Sequence, residues 1–420
     1  MECMKMLHDF YDKRYLILNM IHHLGPISRI ELINMTDYRP ASVGEIIKEL
    51  LDENIIVETG YASSGAGRKR IMLELNKSYL CAIGLSFSAH HVNYIVAQID
   101  GTILYQNTEP YHPEAPKENT IGIVVKHVEE ILTMFRDKKI LGIGISDPLY
   151  DPTSYQLTHT LQSNYTHYND WVKLELKSRI EAVSHVPVEN YGGVAMPVMA
   201  EQKFGIAKGK QDFICVELSN GIGSSICCNG MPVLGASGRA AELGHTVINY
   251  NSSKNQMCYC GKLGCIEEST SLPALKSKIK AALKKGVFSV LNAKLTEGED
   301  ISVSMIKEAL EENDKMCMHY VKEIATYLGV AISNAINLLN PEMVVLYGSM
   351  VELGDFFLQQ LELSIRENSL SLVSDFDVCV SECAEMIYCK GAVAEIFSSY
   401  LMQNQYKWIY QMERDQSNTK

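Results

Sequence analysis

Three cysteines and two glycines crowd into Cys258-Tyr-Cys260-Gly261-Lys-Leu-Gly264-Cys265, and Glu267 follows at once. Thiolates this close can converge on one soft cation, and the glycines let the backbone turn tightly enough to aim them. His245, thirteen residues before Cys258, is expected to supply the fourth ligand. Cys3His with no open position is a structural zinc set rather than a catalytic one. The alternative is a group of free or disulfide-bonded cysteines. The glycines and the histidine suit a metal loop better.

Cys-x-Cys-Gly-x-x-Gly-Cys-x-Glu and the upstream Glu242-Leu-Gly244-His245 resemble two signatures of the repressor/ORF/kinase (ROK) family of sugar kinases and sugar-responsive regulators. That resemblance implies a two-lobed, actin-like ATPase fold. It also implies that a sugar's hydroxyls would be held by Asn190, Glu242, His245 and Glu267. Carboxylates and amides suit vicinal hydroxyls because they pair hydrogen bonds in fixed geometry. His245 could hold the metal with one ring nitrogen and a hydroxyl with the other.

The family's kinases also need a carboxylate and glycines at the first strand, a catalytic aspartate and a second glycine loop. Here the first turn reads Ser86-Phe87-Ser88-Ala89-His90, with neither carboxylate nor glycine. The segment Glu189-Asn190-Tyr191-Gly192-Gly193 puts Tyr191 where the resemblance implies the catalytic aspartate. A phenol with an ordinary pKa of about 10 is a poor general base at neutral pH. The second loop, Ser219-Asn220-Gly221-Ile222-Gly223, keeps two glycines, and Asn340-Pro341 to Tyr347-Gly348 matches the adenosine side only in part. No catalytic residue is therefore assigned, and the chain is read as a non-enzyme.

Other elements must position these groups. The chain has 420 residues and a net charge of −12, enough for two or three domains. Residues 1–77 carry ten basic and eleven acidic side chains, whereas the remainder is strongly acidic. An acidic body repels nucleic acid, so DNA contact must come from this near-neutral head. Ile17, Met20, Ile21 and Leu24 repeat at helical spacing before Gly25-Pro26. Ser28-Arg-Ile-Glu31 is a capping-box pattern that starts a second helix. Pro40 opens a third, with Val43, Ile46, Ile47, Leu50 and Leu51 on one face and Ser42, Glu45, Lys48 and Glu49 on the other. Two strand-like runs, 55–59 and 71–75, flank the basic tip Gly67-Arg68-Lys69-Arg70. The pattern is a winged helix-turn-helix, similar to the head of ROK repressors of the xylose type. Arg39, Ser42 and Lys48 are its candidate groove contacts, and Arg68, Lys69 and Arg70 its wing contacts to phosphate. Glu45 and Glu49 favour the rival reading, a small helical module for protein contacts.

The body from residue 78 alternates strands with helices, an α/β pattern. Expected boundaries are 1–77 for the head, 78–192 for a first lobe joined by a closing helix at about 388–408, and 193–387 for a second lobe. A polar tail follows at 411–420. No apolar run is long enough to span a bilayer, and the first residues do not read as a signal peptide. Twelve cysteines without a secreted scaffold suit a reducing cytoplasm.

The expectation is a cytoplasmic, dimeric or higher-order repressor of carbohydrate-utilisation genes, xylose metabolism among them. It would bind double-stranded operator DNA, hold zinc and respond to a small carbohydrate. The rivals are an active ATP-dependent sugar kinase and a DNA-binding regulator controlled by a protein partner.

Overall fold

The computed structural model describes residues 13–62, 70–88, 91–111, 117–147, 176–236, 238–248, 257–258, 260–295, 300–373 and 375–402. The chain divides into two compact units, which meet along the sequence at 145/146, 170/171, 190/191 and 391/392. The first unit holds the head together with the body's first strands and residues 392–402.

In the head, α1 (Lys13–Leu24), α2 (Arg29–Met35) and α3 (Pro40–Asp52) bury Ile17, Ile21, Leu32, Val43, Ile47 and Leu50 together. The expected capping box is present. Ser28 accepts from the Glu31 N–H, and Glu31 accepts in return from the Ser28 N–H at 2.8 Å. Three antiparallel strands follow in the order β1-β3-β2: β1 (Ile27–Ser28), β2 (Ile56–Ala62) and β3 (Arg70–Leu75). Strand β1 is too short to read from sequence, and it joins the helix pair to the wing hairpin.

Residues 76–80, which lead from β3 into the first-lobe sheet, are hydrogen-bonded to both. Asn76 donates its N–H to Ile55 O at 2.9 Å, Leu80 to Asn76 O at 3.2 Å and Lys139 to Tyr79 O at 2.9 Å. The first-lobe sheet then runs in the order β6-β5-β4-β7-β8, from β4 (Leu80–Phe87), β5 (His91–Gln98), β6 (Ile103–Pro110), β7 (Lys139–Asp147) and β8 (Val188–Gly192). Helices α4 (Lys117–Met134) and α5 (Leu176–Ser184) belong to this lobe. Residues 392–396 of the last helix lie directly on β7. A Cβ on Gly144 would sit 2.6 Å from Ala392 O, and one on Gly142 would sit 3.2 Å from the Ile396 side chain. Alanine is therefore too large at 144.

The second unit contains α6 (Met196–Lys203) and builds a five-stranded sheet in the order β11-β10-β9-β12-β13. Strands β9 (Phe213–Leu218), β10 (Ile222–Cys228) and β11 (Met231–Pro232) form an antiparallel meander. Between β11 and β12 come α7 (Ile266–Thr270), α8 (Leu272–Lys284), α9 (Leu291–Lys294), α10 (Val303–Glu311) and α11 (Lys315–Leu339). Strand β12 (Met343–Tyr347) runs parallel to β9, and β13 (Asp377–Val380), which follows α12 (Asp355–Asn368), runs parallel to β12. Alternation sorts the faces. Ile214, Val216, Val344 and Leu346 pack among helices on one side, while Phe213, Cys215, Val345 and Tyr347 face α6 and Ile387 on the other. Central strands covered on both faces are largely apolar, as β12 is and as β9 is apart from Glu217. No helix among the described residues is long and apolar enough to cross a membrane.

Candidate metal centre and ligand-binding residues

The four expected metal ligands converge in the second unit. The ligand atoms of His245, Cys258, Cys260 and Cys265 all lie within 4.8 Å of one another. Cys258 Sγ is 3.6 Å from His245 Nδ1, and Cys260 Sγ is 3.6 Å from Cys265 Sγ. A tetrahedron built on a 2.3 Å zinc–sulfur bond has sulfurs about 3.8 Å apart, whereas a disulfide would need about 2.05 Å. The distances fit a shared cation and exclude a Cys260–Cys265 disulfide.

Local backbone structure makes this geometry. Gly261 and Gly264 both have φ of +83°, so the knuckle turns twice through the left-handed region. Gly261 N–H donates to Cys258 O at 2.8 Å, and Cys258 N–H to Lys262 O at 2.9 Å. Ile266 N–H donates to Thr246 O at 3.0 Å, which docks the knuckle on the turn carrying His245. Burial pushes the Cys258 thiol up to about 12. A thiol so placed becomes a thiolate only with a compensating cation, which is what a bound metal supplies.

His245 faces two ways. Its Nδ1 points to Cys258, and its Nε2 lies 4.0 Å from a Glu242 carboxylate oxygen. The Glu242 side chain is 59% exposed, and partial desolvation nudges its carboxyl up, with Glu267 adding to this while His245 and Arg239 oppose it. Glu267 is committed to the glycine hairpin, since its Oε2 accepts the Ile222 N–H at 2.8 Å. Gly244 permits the approach: a Cβ there would sit 2.1 Å from Ile222 O. Of the four expected sugar ligands, Glu242 and His245 thus pair beside the cysteine loop, and Glu267 follows that loop with its carboxylate on Ile222. The fourth, Asn190, is the last residue of the first unit, half-buried on β8.

The positions that would handle phosphate are built differently. Ser86 is buried on β4 and accepts from Asn93 at 3.4 Å. The Ser88 N–H donates to His91 O at 2.9 Å. In the second loop the Ile222 N–H is taken by Glu267, as above. Sequence reasoning missed a further group. Glu217 accepts from Tyr388 Oη at 2.6 Å and from Tyr347 Oη at 3.5 Å. Burial pushes its carboxyl up, with these two phenols opposing. Buried Tyr347 occupies the adenosine-side segment just before Gly348, whose Cβ would lie 2.6 Å from Leu218 O. The tyrosine before Gly348 was a visible signal. The partner on β9 was not.

In the head, Arg39 is exposed at the N-cap of α3, Lys48 is exposed and Ser42 is half-buried on the same helix. Arg70 opens β3, whereas Arg68 and Lys69 lie outside the described residues. Glu49, which favoured the protein-contact reading, is paired with Arg14 at 3.2 Å.

The sequence matches the ROK family over residues 82–386. The chain belongs to the ROK family. It is 28% identical over 396 residues to a xylose repressor of Caldicellulosiruptor bescii, covering 92% of this chain and 96% of that protein. It is likewise 28% identical to the xylose repressor of Bacillus subtilis, covering 85% and 87%. The DNA-binding transcriptional dual regulator NagC of Escherichia coli is 25% identical and covers 84% of each chain. Among solved structures, a ROK family transcriptional regulator homologous to E. coli MLC superposes with a TM-score of 0.76 at 24% identity, covering 92% and 96%. A ROK glucokinase from Streptomyces griseus, with glucose and AMPPNP, superposes at 0.61 with 22% identity, covering 74% and 98%. These likenesses establish the α/β, actin-like ROK fold. Kinases and regulators share it, so the choice between them rests on this chain's own residues.

Proposed function

We propose that this chain is a sugar-responsive, DNA-binding transcriptional repressor whose kinase-like body has lost catalysis. The observation that carries the reading is a contrast within one body. Glu242 pairs with His245 of a Cys3His cluster and Glu267 follows that cluster in sequence, while Ser86 and Tyr191 stand at the positions that phosphoryl transfer would need. Phosphoryl transfer requires a base for the hydroxyl and neutralisation of phosphate charge. Neither Ser86 nor Tyr191 supplies these.

In this reading residues 1–77 bind operator DNA through α3 and the wing. Residues 78–192 with the closing helix, and 193–387, form the sensing lobes. Zinc is the metal of the Cys3His set and orients His245. Xylose is the first effector to test, because the similar repressors named above carry that name. A homodimer reads a two-fold-related site, one α3 to each half. The setting is the cytoplasm.

A sugar shifts DNA binding only by its difference in affinity for the two states, typically about 1–3 kcal/mol of coupling. The test is operator affinity titrated against a panel of mono- and disaccharides, beside a coupled ADP-release assay with ATP and magnesium. A saturable change in operator affinity with no ADP release is expected. Turnover on the order of 1–1000 per second would return the chain to the kinases. Operator binding indifferent to every sugar would favour control by a protein partner.

A further inference from the structure

Helix α3 carries an unusual charge for a DNA-reading helix. Val43, Ile47 and Leu50 are fully buried, so the opposite side is presented outward. Ala41, Glu45, Lys48 and Asp52 are exposed there at helical spacing. Other carboxylates near this helix are already committed. Glu49 is held by Arg14 at 3.2 Å, and Glu53 by Arg14 at 2.7 Å and by Lys139 at 3.3 Å. Glu58 on β2 is held by Arg29 at 3.0 Å. Glu45 is exposed, and none of the ion pairs among the described residues involves it. Asp52 sits in the last turn, whereas Glu45 lies in the half of the helix that meets base edges when a recognition helix docks.

A carboxylate brought into the major groove without a cation is repelled by phosphates. The base edge that rewards it is cytosine, whose N4 amine donates. Adenine offers an N6 donor, but its N7 acceptor lies beside it and repels a carboxylate. We infer that Glu45 is a specificity-determining residue that accepts a hydrogen bond from cytosine N4 at one C·G pair in each operator half-site. The inference rests on the DNA-binding reading above and adds a named base contact to it.

The experiment is selection from randomised duplex DNA with the full chain, as wild type, Glu45→Ala and Glu45→Gln, followed by sequencing and affinity measurement on the selected site. Wild type should show one symmetric pair of C·G positions. Glu45→Ala should flatten that pair, losing discrimination of the size a single mismatched base pair costs, about 5- to 160-fold, and leaving the other positions unchanged. Glu45→Gln should move the preference there towards A·T, because glutamine pairs with adenine N6 and N7. Overturning results are an unchanged preference at every position in both variants, or a uniform gain in affinity for all sequences in Glu45→Ala. Either would make Glu45 a solvated surface carboxylate. Failure of the wild type to select any sequence would instead bring down the DNA-binding reading, and the inference with it.

Discussion

Glu53 and Lys139, 86 residues apart in sequence, meet at 3.3 Å, and the other Glu53 oxygen takes Arg14 at 2.7 Å. Glu53 is the C-cap of α3, where the helix dipole disfavours a negative charge. Burial also pushes its carboxyl up, but hydrogen bonds from Arg14 and Lys139 outweigh this and hold it below its ordinary value. Lys139 is the first residue of β7. One carboxylate therefore fastens the end of the third helix both to the first helix and to the first-lobe sheet.

Removing that fastening should cost little stability but change its dependence on pH and salt. Glu53→Gln or Lys139→Met should cost about 0.2–1 kcal/mol, since the groups are partly exposed. A depressed carboxylate stabilises fully above its unfolded value of about 4.3, and that contribution vanishes as pH falls through the folded value. Thermal melts should show wild type above Glu53→Gln at neutral pH, converging in acid and in high salt. Parallel curves at every pH would show that the pair contributes nothing.

The chain should carry one tightly held zinc ion. Metal analysis of protein purified without a metal-affinity tag should give one equivalent per chain. Cys260→Ala should lower both that ratio and the melting temperature. A metal-free protein with an unaltered melt would reduce the cluster to four neighbouring side chains.

Glu267 should separate into two roles by substitution. Glu267→Ala leaves the buried Ile222 N–H without its acceptor and should cost about 1–3 kcal/mol. Glu267→Gln keeps an acceptor oxygen, so it should fold nearly as well yet bind sugar more weakly. Calorimetric unfolding alongside sugar titration makes the comparison. Equal unfolding of the two variants would count against the loop-anchoring role.

The wing should act through charge alone. Arg68, Lys69 and Arg70 changed together to Ala should weaken all DNA sequences alike. They should also flatten the log–log salt dependence by roughly 0.9 for each phosphate that is no longer neutralised. An unchanged slope would place the phosphate-binding groups elsewhere in the head.

Buried Glu395, on the last helix, has its carboxyl raised to about 7 by desolvation. The folded state then holds a proton that the unfolded state releases from about pH 4.3 upward, so stability falls as pH rises towards 7. Glu395→Gln removes that dependence and should raise the melting temperature more at pH 8 than at pH 5. An equal shift at both would mean that the carboxyl titrates normally.

Local devices are readable because each is written within a few residues. Ser28 and Glu31 announce α2, Pro40 announces α3, and the two knuckle glycines announce the metal loop. Pairings between distant segments are not. Nothing near Glu267 says that its oxygen takes the Ile222 N–H, and nothing near Glu217 says that Tyr388 will reach it. Helix α8 carries a regular apolar stripe, Leu272, Leu275, Ile279 and Ala282, which a motif-led reading passes over. Helices α10 and α11 part at Asn313-Asp314, where Asn313 has φ of +57° and Asp314 caps α11 by accepting from Cys317 N–H at 2.8 Å.

The close approach of Gly144 and Ala392 also bears on synthesis. Strand β7 leaves the ribosome long before the residues that cover Gly142 and Gly144. At typical elongation rates of about 5–20 residues per second the interval is on the order of tens of seconds. The second lobe, by contrast, is encoded almost entirely between the two and can fold first. Nascent chains halted before residue 392 should hold a finished second lobe beside an unsealed first one, which is the species that chaperones would meet.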